Sequence, residues 1–145
     1  VGLNTLTCIA CNIAARELTK YLYGKTASEV ASWYREKRDM SALLPAEDIK
    51  IPEAGMKGNI AKAALKAMPA RNNGTCPAYD LILQDIYNVA GRAMVEHEQA
   101  GDKDGAARLR EVQVIAAFLG NAKIKPWYYE NMDKMYEKIC KKFGG

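Results

Sequence analysis

Apolar residues recur at helical spacing through most of the chain, the signature of amphipathic helices. The stretch from Pro77 to Leu119 carries it most clearly. Pro77 occupies a first-turn position, and Ile82, Ile86, Val89, Ala90 and Ala93 follow at helical intervals. Gln99-Ala100-Gly101-Asp102 breaks the run. Ala106, Leu109, Val112, Ala116 and Leu119 then resume it until Gly120-Asn121. Residues 77–119 therefore predict a central αα-hairpin, two antiparallel helices joined by a short turn.

The flanks supply further helices. A first helix is expected from near Asn4 or Thr5 to Tyr23, with Leu6, Ile9, Ile13, Leu18 and Leu22 inward and Gly24 as its stop. Thr26-Ala27-Ser28-Glu29 is a capping box, in which hydroxyl and carboxylate answer the open amides of a helix start. The helix behind it carries Val30, Trp33 and Tyr34 and ends in an exposed Arg35-Glu36-Lys37-Arg38-Asp39. Pro45, Pro52, Gly55 and Gly58 punctuate residues 44–58, read as a surface loop pinned by Ile49 and Ile51. A short helix follows over 59–68, and Pro126 opens a last one through Phe143. The expected fold is an all-α, single-domain bundle of about five helices spanning residues 1–145, with the first and last packed on the hairpin.

Length and composition agree with this. At 145 residues the chain can bury a core unaided, and 49% apolar with 26% charged residues places it outside the disordered class. No apolar run approaches the roughly 18–20 residues of a membrane span. The start at Val1 rather than a methionine implies processing and is compatible with export, which leaves the compartment open. The net charge of +4 is unevenly placed. Lys50, Lys57, Lys62, Lys66 and Arg71 face a lone Glu53 over residues 50–71. Asp80, Asp85, Glu96, Glu98, Asp102 and Asp104 outnumber Arg92 and Lys103 further on. Such patches are either solvated helix faces or surfaces for partners. In the second case Lys57, Lys62, Lys66 and Arg71 would contact nucleic acid, and the opposed charges would let copies of the chain meet.

Two constellations carry candidate chemistry. Arg92-Ala-Met-Val-Glu-His97 places an arginine and a histidine on one helix, about 140° apart and about 7.5 Å along its axis. This pair resembles the ribonuclease signature of the HEPN superfamily, small helical domains that usually dimerise. The resemblance implies metal-independent RNA cleavage, with His97 handling a proton and Arg92 holding the scissile phosphate. The plainer reading of His97 is a core-edge histidine near a helix end. The second constellation is Cys8, Cys11, Cys76 and Cys140. A zinc site would need a second closely spaced pair, which is missing, so no metal and no cofactor is expected. Disulfides have three connectivities open to them, including a clamp from Cys8 or Cys11 to Cys140, and buried thiols are the alternative. Bridged, and with the sequon Asn73-Gly74-Thr75, the chain would be a secreted, disulfide-stapled helical binding module.

The last helix decides the leading expectation. Trp127, Tyr128, Met132, Met135 and Tyr136 form a wide aromatic stripe, more apolar surface than one subunit is expected to cover. This predicts a non-catalytic structural or assembly subunit that associates with itself or a larger complex and contacts nucleic acid, if at all, through a basic face. Trp127, Tyr128 and Tyr129, set among Lys123, Lys125 and Lys134, can also stack bases beside a basic groove.

Overall fold

The computed structural model describes residues 14–16, 18–40 and 74–143, leaving aside the side chains at 136 and 138–143. The readings placed on the loop at 44–58, the helix at 59–68 and the start of the first helix lie outside the described residues. Every regular element among those described is a helix: α1, described over residues 14–16 and 18–22; α2, Ala27–Arg35; α3, Pro77–Gln99; α4, Lys103–Leu119; and α5, Lys125–Phe143. None of these helices is long and apolar enough to cross a membrane.

The boundaries follow from local chemistry. Gly24 ends α1 with φ of 89°, a left-handed backbone that costs glycine little. Thr26 caps α2 by accepting from the Glu29 amide at 3.1 Å, while its hydroxyl meets the Glu29 carboxylate at 3.5 Å. Glu111 of α4 reinforces that start, accepting from the Ala27 amide at 2.7 Å and so tying α2 to the hairpin. Pro77 opens α3 where its missing N–H would have had no helical acceptor. Gly101, with φ of 79°, turns the chain, and Asp102 caps α4 by accepting from the Gly105 amide at 2.9 Å.

α3 and α4 pack along their lengths as the predicted hairpin. Tyr79, Ile82, Ile86 and Ala90 of α3 and Val112, Ile115 and Leu119 of α4 lie at the centre of one continuous core. Leu18 and Leu22 of α1, Val30 and Trp33 of α2, and Tyr128 and Met132 of α5 complete it. Tyr34 stands edge-on to both Phe118 and Trp127, at 6.3 and 5.5 Å between ring centres, a favourable arrangement of aromatic quadrupoles.

Here the expectation for the last helix is corrected. Trp127, Tyr128, Met132 and Met135 are 9, 1, 2 and 3% exposed within their own subunit, so they build its core and present no surface to a neighbour. Periodicity marks a face that hides from water and is silent on which molecule hides it. The Tyr136 side chain lies outside the described residues.

α5 is held to α3 by a tyrosine cluster. Tyr79, Tyr128 and Tyr129 pack ring against ring with centroids 5.9–6.5 Å apart. Each hydroxyl has an acceptor: Tyr79 donates to Asp133 at 3.0 Å, Tyr128 to the Tyr79 carbonyl at 2.6 Å, and Tyr129 to Asp80 at 2.8 Å. Lys125 closes on the same Asp80 carboxylate at 3.4 Å. Burial, and then the bond to Asp80, push the Tyr129 phenol from 10.0 up to about 12. The folded value lies above the unfolded one, so the stability linked to this phenol is whole below pH 10 and is lost as pH rises towards 12. Urea midpoints followed over that window should fall in the wild type, and Tyr129→Phe should flatten the decline. An equal decline in both proteins would count against it.

Candidate functional site

The Arg92–His97 pair does not converge within one chain. The five-residue spacing turns the two side chains to different sides of α3. Arg92 lines an open groove along the outer face of α3, with Asp85, Tyr87, Gly91, Val95 and Gln113 around it. Burial raises the Asp85 carboxyl above its ordinary value, and the nearby Arg92 guanidinium works against that rise. His97 lies by the hairpin turn, where its Nδ1 is 2.7 Å from Asp102 Oδ2. Gly105 hydrogen-bonds to Asp102 through its amide, and that bond, followed by the one from His97, holds the Asp102 carboxyl below the ordinary range. An ionised carboxylate only accepts, so Nδ1 carries the proton. The imidazole thus clasps the two ends of the turn.

Gly105 makes this clasp fit. A Cβ there would collide with Asp102 Oδ2 and come within 2.6 Å of His97 Nδ1. Sequence reasoning missed the clasp, although signals for it exist. Asp102 precedes a helix in which Gly105, a poor helix former, stands at the third position, and His97 sits five residues before the cap.

The other predicted residues are placed as follows. Lys57, Lys62, Lys66 and Arg71, together with Cys8 and Cys11, lie outside the described residues, as does the Cys140 side chain. Cys76 is fully buried directly before α3, in extended backbone. Among the described residues no group of three His, Cys, Asp or Glu side chains is placed to hold a metal ion. Much of the acidic patch is engaged internally: Asp80 by Tyr129 and Lys125, Asp102 by His97, and Glu98 by Arg110 at 3.7 Å.

Two surface features stand out instead. The first is the outer face of the hairpin. Tyr87, Val95 and Val114 are 51, 49 and 47% exposed, three of the four large apolar residues at the surface of the described part. Tyr87 and Val95 each lie four residues from Gly91 and so share one stripe of α3. Gln113 of α4 reaches across that stripe to donate to the Tyr87 carbonyl at 3.1 Å. The second is a cleft of about 430 Å³ between the end of α2 and the start of α5, with a strongly basic rim.

Compared with known protein families, curated proteins and solved structures, the chain matches none.

Proposed function

We propose that the chain is a non-catalytic assembly module that associates with copies of itself through the outer face of α3 and α4. The observation that carries this reading is the exposure of Tyr87 and Val95, about half of each, on one stripe centred on Gly91. Water gains little from that apolar surface, and covering it in a second copy is favourable by roughly 25 cal/mol per Å² of apolar area. At the middle of the stripe the Gln113 amide lies 3.0 Å from where a Gly91 Cβ would stand, so a partner helix would meet Gln113 between Tyr87 and Val95. The spacing is also self-complementary. An antiparallel pairing of two α3 helices about Gly91 sets Tyr87 of each copy opposite Val95 of the other, as a two-fold interface requires. The ribonuclease reading is less well supported, because His97 is engaged by Asp102 and Arg92 stands on another side of the helix.

Light scattering on the eluting protein tests the proposal. The wild type is expected to be larger than one chain. Tyr87→Glu with Val95→Glu is expected to give a monomer of unchanged helix content, since both side chains are exposed and few core contacts are lost. A monomeric wild type up to its highest soluble concentration, or a double variant that stays assembled, removes the proposal.

A further inference from the structure

We infer that the cleft between the end of α2 and the start of α5 is a binding site for single-stranded nucleic acid, independent of the face proposed for self-association. Its rim brings together Arg35, Lys37, Arg38, Lys123 and Lys134 against only Asp39 and Glu130. Two segments more than 80 residues apart in sequence thus build one positive field. Asp39 answers Lys134 at 3.5 Å, which leaves four cations to a single further carboxylate, Glu130, on the rim. Arg35, Lys37, Arg38 and Lys123 are exposed, so their ammonium and guanidinium groups can reach a ligand without unpacking the core.

The backbone adds to the field. Lys37 takes φ of 53°, a left-handed conformation that non-glycine residues adopt at some cost, and it turns the chain end of α2 back toward α5. The first turn of α5 contains no acidic residue to offset its positive end. The site is concave, and its aromatic lining is Tyr34, half-buried, backed by the buried Trp127. On the rim the Arg38 guanidinium lies 5.7 Å from the centre of the Trp33 ring.

This combination selects the ligand. A row of cations on both sides of a groove matches successive phosphodiesters. The accessible part of the Tyr34 ring offers a base a surface to stack on. A bilayer surface is flat and would leave a concave site of this size unfilled. A lone phosphate would use one or two of the cations and none of the aromatic lining.

Fluorescence anisotropy with labelled oligouridylate and oligothymidylate measures binding as salt is raised. About three phosphate contacts give a slope of log affinity against log salt near −2 for a single strand. Lys37→Glu with Lys123→Glu is expected to weaken binding by roughly tenfold or more and to flatten that slope. Lys37→Gln with Lys123→Gln should move both in the same direction by less, which keeps the test valid should the charge reversal disturb folding. Photocross-links from thiouridine should fall within residues 33–40 and 123–134. Lys103→Glu, at the far end of the hairpin, should bind as the wild type does. The inference is overturned if neither oligonucleotide binds at low salt, if the glutamine pair binds like the wild type, or if Lys103→Glu weakens binding equally. It is also overturned if pyrophosphate occupies the cleft as tightly as the oligonucleotide, or if phosphatidylserine vesicles bind and the oligonucleotides do not.

Discussion

Replacing Tyr79 with alanine is expected to remove ~4 kcal/mol of stability, the cost typical of truncating a large buried aromatic. Tyr79 is fully buried, and its loss acts in three ways. The ring leaves a void between α3 and α5, where Tyr128 and Tyr129 pack against it at 6.5 and 6.1 Å. Its hydroxyl no longer donates to Asp133, 3.0 Å away, so a carboxylate on α5 loses a partner. Its carbonyl stays, but the Tyr128 hydroxyl that donates to it now sits beside a cavity. Domains of this kind are stable by about 5–15 kcal/mol, so the variant approaches the limit of folding. Tyr79→Phe separates the contributions: it keeps the ring and removes one hydrogen bond, at a cost of ~1 kcal/mol. Urea unfolding is the measurement, with a large midpoint shift at constant slope for alanine and a small one for phenylalanine. A shift for alanine no larger than that of a surface substitution would mean that the cluster is not what joins the last helix to the hairpin.

The hairpin was readable in the sequence because each of its signals is local. Pro77, Gly101, Asp102 and the apolar spacing all act within a few residues, and the same holds for the Thr26–Glu29 box and Gly24. The burial of α5 was readable too, but not what buries it. Tyr128 and Met132 show the same pattern whether α3 or a second subunit covers them, and only the fold decides for α3. Among the described residues the exposed large apolar side chains lie elsewhere, Tyr87 and Val95 among them, and these two interrupt a polar face too sparsely to be noticed in the sequence. The basic cleft is legible only on its α5 side, where Lys123, Trp127 and Lys134 fall close together. Lys37 is 86 positions from Lys123, so nothing local joins the end of α2 to that side. His97 stood out through Arg92 upstream, whereas its partner is Asp102 downstream across a turn.

Asn131 links stability to the cleft, and Asn131→Ala is expected to cost ~2–3 kcal/mol. The side chain is 3% exposed within an otherwise apolar stripe of α5. Its Oδ1 accepts from the Met40 amide at 2.5 Å, and its Nδ2 donates to the Trp127 carbonyl at 2.8 Å. The first bond matters more, because it spans 91 positions and fastens the turn after α2 onto α5. Alanine leaves the Met40 N–H buried without an acceptor, a penalty of about 1–3 kcal/mol, and adds a small void. Thr19 is the control. It is buried as well, but its hydroxyl donates to the Ala15 carbonyl of its own helix at 2.7 Å. Removing that donor leaves the carbonyl its place in the helical ladder, so Thr19→Ala should cost less than Asn131→Ala. Hydrogen exchange reads the mechanism directly: the Met40 amide should change from protected to fast in Asn131→Ala and stay protected in Thr19→Ala. Residues 37–39 then lose their buried tie to α5 and keep the more exposed Asp39–Lys134 pair, and oligonucleotide affinity should fall with no charge removed. An unchanged urea midpoint together with a still-protected Met40 amide would show that another contact holds this turn in place.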